Sequence, residues 1–153
     1  MDPKLIATQL RCPHGKDGAE VAKRMNQNNK STNLVAISEL AVVEGDSVLE
    51  IGPGNGAFVS AVLGDRPNVR YTGIDWSADM VATAKSINSK LVESGKASFV
   101  HGNSDHLPFA DNTFTRALAV HMIYFWEPVE NHLAEIMRVL RPNSEFCLCF
   151  GDK

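Results

Sequence analysis

The chain has 153 residues, of which 44% are hydrophobic and 22% are charged, and this suffices for one globular domain with its own core. Its formal net charge is −3 and its lysines and arginines are scattered, so a nucleic-acid partner is not expected. No apolar run reaches the roughly 18 residues of a membrane span and no signal-peptide core is present, which predicts a cytoplasmic protein.

The first part of the chain is predicted to be helical after an irregular start. Residues 1–16 contain two prolines and a glycine, which predicts irregular structure. Apolar residues at helical spacing predict a helix over 18–29. A second helix is predicted over 33–42, with Ser31 or Thr32 as its N-cap.

The rest of the chain alternates between predicted strands and predicted helices. The predicted strands cover residues 47–51, 68–75, 97–102, 116–122 and 145–150. The predicted helices cover residues 57–64, 77–93 and 129–139, and a loop is predicted over 103–114. Short apolar strands without polar alternation are typical of a parallel sheet that is covered on both faces. The sequence therefore predicts a doubly wound α/β fold, whose ligands bind at the carboxyl edge of the sheet.

Three glycines at alternate positions follow the first predicted strand, in the stretch VLEIGPGNGAF at 48–58. Glycine permits a positive φ and lets the backbone approach a ligand closely. The next helix, expected to start near Asn55, would direct its free N–H groups toward this loop and favour an anionic group there. The glycines alone do not distinguish a pyrophosphate from a carboxylate, and Gly-x-Gly-x-x-Ala also fits a dinucleotide fingerprint.

Two acidic residues narrow the choice of ligand. Asp75 ends the second predicted strand, 19 residues after Gly56, where a carboxylate can accept hydrogen bonds from ribose hydroxyls. Glu50 lies inside the first strand, two residues before Gly52, where it would repel a pyrophosphate and attract an ammonium group. S-adenosylmethionine carries an ammonium group, a carboxylate and a sulfonium. Hydrogen bonding of Glu50 to the loop amides is the alternative interpretation.

Four stretches resemble, in order and spacing, the class I S-adenosylmethionine-dependent methyltransferases of the ubiquinone/menaquinone-biosynthesis branch (methyltransferase type 11). They are VLEIGPGNGAF, YTGIDWSADM, HGNSDHLPFADNTF and HLAEIMRVLRP, within roughly residues 44–150. The resemblance implies a Rossmann-like parallel sheet of strand order 3-2-1-4-5 with helices on both faces. It also implies an N-terminal helical lid at 1–43 and an S-adenosylmethionine-binding domain at 44–153.

The same resemblance implies roles for the matching positions. The residues implied to hold the methionyl group are Glu50, Gly52, Pro53, Gly54, Asn55 and Gly56. Asp75 would bind the ribose hydroxyls, and Trp76 and Met80 would line the adenine. These roles make S-adenosyl-L-methionine the expected cofactor.

Beyond the second strand, the implied cofactor contacts come from two later segments. Asn103 stands where the family usually has aspartate, and Ser104 and Asp105 follow it at the adenine edge. An asparagine amide both donates and accepts hydrogen bonds, so this position can still contact adenine. Val120 and His121 would close the site beneath the sulfonium.

The chain also departs from the family pattern. Thr115-Arg116 and Asn143-Ser144 replace an aspartate and a glycine pair, both away from the implied cofactor positions. The family fold has two further C-terminal strands, which the chain lacks, so we expect a fragment of a longer protein. If the natural protein ends here, we expect a homodimer that buries the exposed edge of the fifth strand.

The acceptor side of the site is predicted from aromatic and helical residues. His121 is the candidate general base or acceptor-orienting residue, and the alternative is that its ring hydrogen-bonds the loop or caps the cofactor pocket. Tyr124, Phe125 and Trp126 follow it as an aromatic cluster, which is predicted to form an acceptor wall, with packing in the core as the alternative. Met25 and Asn29 lie one helical turn apart on the predicted lid and are expected to face the acceptor.

These expectations together predict a methyltransferase that uses S-adenosylmethionine to methylate a small-molecule acceptor. The three cysteines and five histidines show no metal-ligand spacing, so no metal site is predicted. Two alternatives are kept: an NAD(P)-dependent oxidoreductase, and a non-catalytic module that binds S-adenosylmethionine.

Overall fold

A five-stranded, all-parallel β-sheet forms the centre of the structure, a computed structural model that describes residues 3–151. The strands are β1 (Ser47–Ile51), β2 (Arg70–Asp75), β3 (Ala97–His101), β4 (Phe114–Val120) and β5 (Leu140–Cys149). Their order in the sheet is β3-β2-β1-β4-β5, and every adjacent pair is parallel. The predicted fold class and strand order are therefore confirmed.

Seven α-helices and a short 3₁₀ helix account for the other regular elements in the described part of the chain. The helices are α1 (Pro3–Arg11), α2 (Gly15–Asn28), α3 (Lys30–Leu40), α4 (Val59–Leu63), α5 (Ala78–Ile87), α6 (Ser89–Glu93) and α7 (Val129–Val139); the 3₁₀ helix is Ile123–Phe125. None of these helices combines the length and the apolar character needed to cross a bilayer.

The prediction of irregular structure over residues 1–16 was wrong for α1. Pro3 stands at the first helical position, where a backbone N–H has no helical partner to lose, so a proline is tolerated there. The next proline, Pro13, follows the end of the helix. The prolines therefore bracket a helix that they were expected to prevent.

The predicted cap between the second and third helices was also wrong. Neither Ser31 nor Thr32 caps α3; Asn29 joins the two helices instead. The Asn29 N–H donates to the Met25 carbonyl at 2.8 Å, and the Asn33 N–H donates to the Asn29 carbonyl at 2.9 Å. These hydrogen bonds carry the helical pattern across the junction, so α2 and α3 present almost one continuous face.

The helices around β2 differ from their predicted bounds. The helix expected from Asn55 begins only at Val59, as α4. Ser77 caps α5 as predicted, since its Oγ accepts from the Met80 N–H at 3.2 Å. The single helix predicted through residue 93 is interrupted at Asn88, whose amide donates to the Gly56 carbonyl at 3.1 Å and so ties this helical layer to the glycine loop.

Apolar side chains cover both faces of the sheet, as a parallel sheet requires. Val48 and Leu118 pack on one face with α3, α4 and α5, whereas Leu49 and Ala119 pack on the other with α7. Edge strand β5 contributes its two half-buried free cysteines to the first of these faces. The two layers hold the carboxyl ends of β1, β2 and β4 side by side.

Candidate cofactor-binding site

Two adjacent cavities open at the carboxyl edge of the sheet. The first cavity lies at the carboxyl ends of the paired strands β1 and β4, from which the chain continues to helices on opposite faces of the sheet. Helix α2 and the start of α3 contribute to its lining. The second cavity lies beside it, next to the loop that follows β3. Both are lined by Arg11, Gly52, Trp76, Met122 and Phe125. The position agrees with the edge at which open α/β sheets bind ligands.

The glycine loop forms the floor of the first cavity. Gly52, Gly54 and Gly56 all have a positive φ, of 72°, 58° and 73°, which other residues adopt only with strain. A Cβ added at Gly54 would meet nothing within 4 Å, so the loop leaves open space there. A Cβ at Gly56 would lie 2.7 Å from the Asn88 amide, so Gly56 serves packing rather than the cavity.

Glu50 places a carboxyl group on the wall of this cavity, within the core of the sheet. It is only 5% exposed, and its Oε2 accepts a hydrogen bond from the Tyr71 hydroxyl at 2.5 Å. Burial and, to a lesser extent, the nearby Asp75 raise the pKa of Glu50 to about 7, against the opposing effect of the Tyr71 hydrogen bond. The same burial raises the pKa of Tyr71 well above its ordinary value. A positively charged ligand group would stabilise the ionised form of Glu50.

Asp75 lines the same cavity from the end of β2. Its Oδ2 accepts from the Gly54 N–H and its Oδ1 from the Ser77 N–H, both at 2.9 Å. Burial raises the pKa of this carboxyl, and the two backbone N–H groups oppose the rise. Each oxygen keeps acceptor capacity beyond these bonds, so the oriented carboxylate can accept from ligand hydroxyl groups as well.

The N-terminal helices are attached to the cavity at both of its ends. At the β2 end, Ser77 donates to the Pro13 carbonyl, and the Gly15 N–H donates to Asp79 at 2.7 Å. At the glycine loop, the Asn26 amide donates to the Asn55 side chain at 2.9 Å. These contacts place α2 over the floor of the first cavity.

His121 follows β4 at the opposite wall of the first cavity. Its φ is 56°, an uncommon value for a residue other than glycine. Its N–H donates to the Cys149 carbonyl at 2.8 Å, and its ring lies 6.3 Å from the Tyr124 ring. Backbone strain of this kind concentrates at functional sites, which makes His121 a functional candidate on structural grounds too.

The second cavity is lined by a buried histidine, His132, that was not predicted as a site residue from the sequence. The Ser104 hydroxyl lies 2.7 Å from Nδ1 of His132, and the ring of Trp126 stacks on His132 with centroids 5.3 Å apart. Burial lowers the pKa of His132, against the opposing effect of Asp105. A histidine in the middle of an amphipathic helix gives no sequence signal for such a partner.

Arg138 anchors the loop that carries Asn103 and Ser104. It donates to the Phe109 carbonyl at 2.8 Å and forms ion pairs with Glu135 and Asp111 at 2.7 and 2.8 Å. These bonds hold the far side of the loop against α7. The residues that face the second cavity are thereby positioned by the helix below them.

Most of the predicted site residues meet in the first cavity. Those that line it are Met25, Asn29, Glu50, Gly52, Pro53, Gly54, Asn55, Asp75, Trp76, Met80, Val120 and His121. Asn103, Ser104 and Trp126 line the second cavity instead. Gly56, Asp105 and Tyr124 line neither cavity, and the Tyr124 hydroxyl donates to the Gly151 carbonyl at 2.7 Å. The roles assigned to all of these residues stay predictions.

Several lining residues were not predicted from the sequence. They are Leu10, Arg11, Pro13, Ala22, Asn26, Asn33, Phe58 and Met122 in the first cavity. Asn26 and Asn33 share the helical face of Met25 and Asn29, so helical periodicity carried a signal for them. Leu10 and Arg11 lie in α1, which was not predicted at all.

Comparison with known proteins identifies the family. The sequence profile described as "Methyltransferase domain" matches residues 49–148, more than half of the chain. The chain belongs to this methyltransferase domain family. The resemblance to class I methyltransferases that the sequence motifs predicted is therefore confirmed. The family profile covers most of the glycine loop, β2, β4 and α7, and therefore both cavities' sheet-derived walls.

Curated relatives of this chain include bacterial and fungal proteins that are named methyltransferases. It is 30% identical over 151 residues to the demethylmenaquinone methyltransferase of Tropheryma whipplei strain Twist, covering 89% of the chain and 61% of that relative. It is 31% identical over 112 residues to O-methyltransferase resE of Aspergillus sclerotiorum, covering 72% of the chain and 42% of that relative. The chain thus spans about half the length of the curated relatives that it matches.

Solved methyltransferase structures share the fold. The methyltransferase from the complex with the Haloferax volcanii Trm112 methyltransferase activator superposes with a TM-score of 0.73 at 29% identity, over 82% of this chain and 53% of that one. An S-adenosyl-L-methionine-dependent methyltransferase structure from Methanococcus maripaludis superposes with a TM-score of 0.70 at 21% identity, over 86% and 63% of the two chains. At that identity, the second match supports the fold alone.

Proposed function

We propose that this chain is an S-adenosylmethionine-dependent methyltransferase domain that acts on a small-molecule acceptor. The observation that carries the proposal is the meeting of Glu50, Asp75 and the glycine loop in one cavity. An ammonium group, two ribose hydroxyls and a carboxylate are the ligand groups that these three features would bind. S-adenosylmethionine contains all of them, so the donor set fits this cofactor.

Each of the chain's own groups has a binding role in this proposal. Glu50 pairs with the ammonium group, which offsets the cost of its buried charge. Asp75, oriented by two backbone N–H groups, accepts the ribose hydroxyls. Trp76 and Met80 line the adenine side, with Asn103 and Ser104 at its edge. When bound, S-adenosylmethionine supplies a methyl group activated by its sulfonium.

The residues after β4 complete the proposed acceptor side. His121 lies at the wall of the first cavity and is proposed to take the proton that a hydroxyl acceptor loses. Met25 and Asn29 face the same cavity from the lid. Because the methyl group is already activated, the protein's main tasks are to position the acceptor and exclude water.

The wider organisation is proposed from the same reasoning. Residues 1–43 act as the lid and residues 44–153 form the cofactor-binding domain. Relatives named as demethylmenaquinone methyltransferase and as O-methyltransferases support a small-molecule acceptor. Neither the oxidoreductase nor the non-catalytic alternative is favoured by the family match. Cytoplasmic location and absence of a metal stay predictions, and no observation supports the homodimer through β5.

Isothermal titration calorimetry with S-adenosylhomocysteine and with NADH tests the proposal. We expect S-adenosylhomocysteine to bind with one site per chain and NADH to give no saturable heat. Binding of NADH alone would overturn the proposal in favour of the oxidoreductase. Binding of S-adenosylhomocysteine without methyl transfer to any compound of a metabolite panel would instead support the non-catalytic module.

A further inference from the structure

A row of three asparagines lines the first cavity from the α2–α3 face. Asn26, Asn29 and Asn33 follow one another at intervals of three and four residues, and helical hydrogen bonds continue across the junction between the two helices. This spacing puts all three side chains on one side of the helical pair. The face therefore presents neutral carboxamide groups where it meets the cavity.

Two of these carboxamides have hydrogen-bonding capacity to spare. The Asn26 amide is engaged with Asn55, and the Asn33 amide nitrogen donates to the Asn29 carbonyl at 2.9 Å. The side-chain oxygen of Asn33 accepts no hydrogen bond from any residue that the structure describes. Within the same described range, the Asn29 carboxamide has no hydrogen-bond partner at all. The Asn29 amide nitrogen can therefore donate to a ligand in the cavity, and the side-chain oxygens of Asn29 and Asn33 can accept from one.

The charged groups that line the first cavity are attached elsewhere. Arg11 lies over the Trp76 ring, 6.0 Å from its centroid, at the end of the cavity that β2 forms. Asp75 is held there by Gly54 and Ser77, and Glu50 on β1 is bonded to Tyr71 on β2. In the proposed function the two carboxylates are occupied by the cofactor.

The part of the first cavity lined by Asn26, Asn29 and Asn33, here called the asparagine end, is neutral and largely apolar. Helix α3 packs against β4 and β5, on the far side of β1 from Asp75 and Trp76. The side chains that share the cavity lining with the asparagines include the apolar Met25, Phe58, Val120, Met122 and Phe125. Among the lining residues that α2, α3 and the segment after β4 contribute, His121 is the titratable group.

We propose that this end of the cavity binds an uncharged acceptor with an apolar body and a hydroxyl or carbonyl group, and that Asn29 and Asn33 select it. The proposal rests on the proposed function and specifies its substrate class. A carboxamide both donates to a carbonyl and accepts from a hydroxyl, so it satisfies such groups without charge. A carboxylate, phosphate or ammonium group would lose its hydration here without gaining a counter-charge from the asparagine face.

Three probes with one ring and different charges test this proposal. Catechol is neutral, 3,4-dihydroxybenzoate is anionic and dopamine is cationic at pH 7. Each is titrated calorimetrically into the chain saturated with S-adenosylhomocysteine. We expect catechol to bind at least tenfold more tightly than either charged probe. Equal or tighter binding of a charged probe, or binding of none of the three, would overturn the proposal.

An asparagine-to-aspartate change at the cavity should redirect this preference. Asn29→Asp adds a carboxylate to the asparagine face and should shift the ratio of dopamine to catechol affinity at least tenfold toward dopamine. Asn28→Asp is the matched control, because Asn28 is exposed and does not line the cavity. The control should leave the ratio unchanged, and an unchanged ratio in Asn29→Asp would contradict the assignment of Asn29.

Cofactor binding distinguishes a failure of the proposed function from a failure of the acceptor class. The Asn28→Asp control should bind S-adenosylhomocysteine within about threefold of the unaltered chain, and circular dichroism should show that both variants are folded. If the unaltered chain binds no S-adenosylhomocysteine, the proposed function fails. If it binds S-adenosylhomocysteine but shows no preference for catechol, only the acceptor class fails.

Discussion

Glu50 and Asp75 lie on neighbouring strands and line the same cavity, but the hydrogen-bond donors that compensate their negative charges differ. Asp75, at the end of β2, receives one backbone N–H on each carboxylate oxygen. Glu50, inside β1, is buried and receives a single hydroxyl, from Tyr71. Burial raises the pKa of both carboxyl groups, but only Asp75 has backbone N–H groups that counter it.

Because of this difference, Asp75 is preorganised for ligand binding, whereas the charge of Glu50 is compensated fully only when a ligand is bound. The Asp75 carboxylate is held in one orientation by backbone donors before any ligand arrives, which lowers the cost of binding hydroxyl groups. The Glu50 carboxylate is costly in the free protein because its charge is incompletely compensated. A cationic ligand group would stabilise the Glu50 carboxylate and offset that cost. Glu50 therefore lowers the stability of the free protein and favours binding of a cationic ligand group.

The largest expected effect comes from removing the charge of Glu50. Glu50→Gln should raise the free energy of unfolding by about 3 kcal/mol above pH 7, because a pKa raised from 4.5 to about 7 disfavours the ionised folded state. Between pH 4.5 and about pH 7, Glu50 keeps its proton in the folded state but has released it in the unfolded state. The stability of the unaltered chain therefore falls with rising pH through this window, and the variant's advantage vanishes below about pH 4.5.

Urea denaturation of both chains at pH 5, 6, 7 and 8 measures this difference. Glu44→Gln, the same change at an exposed position, is the control and should show no growing advantage. Parallel stability curves for Glu50→Gln and the unaltered chain would show that Glu50 carries no uncompensated charge. The same variant should bind S-adenosylhomocysteine about tenfold more weakly, because it cannot pair with an ammonium group.

The second effect concerns affinity at the preorganised carboxylate. Asp75→Asn should weaken S-adenosylhomocysteine binding about 100-fold, on the order of the value of charged hydrogen bonds to two hydroxyls. It should also lower the melting temperature, because an amide has one acceptor oxygen and two backbone N–H groups point at it. Calorimetry and thermal melting should thus show a loss on both measures, unlike Glu50→Gln.

Asp65→Asn provides the matched control for that experiment, since Asp65 is exposed and lines neither cavity. It should leave both the affinity and the melting temperature unchanged. An affinity of Asp75→Asn within threefold of the unaltered chain would remove Asp75 from the proposed ribose site. A gain in melting temperature would mean that Asp75, like Glu50, is mainly a buried charge.

The strand end that carries Asp75 illustrates what could be predicted from sequence. The strands and the positions of Glu50, Asp75 and the glycine loop follow from local patterns, because apolar runs, turns and strand ends are encoded by adjacent residues. The strand order was implied by the resemblance to class I methyltransferases. Parallel strands then bring those ends to one edge regardless of side-chain detail. The convergence of Glu50 and Asp75 on one cavity could therefore be expected.

The cover of the site could not be predicted in the same way. Helix α1 was missed because proline was taken as a helix breaker without regard to its position in the first turn. Helical periodicity places Asn26 and Asn33 on the face of Met25 and Asn29, but their position at the cavity depends on long-range contacts of α2 with the glycine loop and of α3 with the sheet. The Ser104–His132 pair joins residues 28 positions apart and depends on α7 docking below the loop.

The smallest of these effects concerns the hydrogen bond that the Tyr71 hydroxyl donates to Glu50. Tyr71→Phe removes the hydroxyl that bonds to Glu50 and should cost about 2 kcal/mol at pH 8, where Glu50 is ionised. At pH 5 Glu50 is protonated, the hydrogen bond is between neutral groups, and the cost should fall to about 1 kcal/mol. In a Glu50→Gln background the cost should stay near the lower value at both pH values. Urea denaturation of the four chains measures this cycle, and a pH-independent cost of Tyr71→Phe would mean that the phenol supports packing rather than the charge of Glu50.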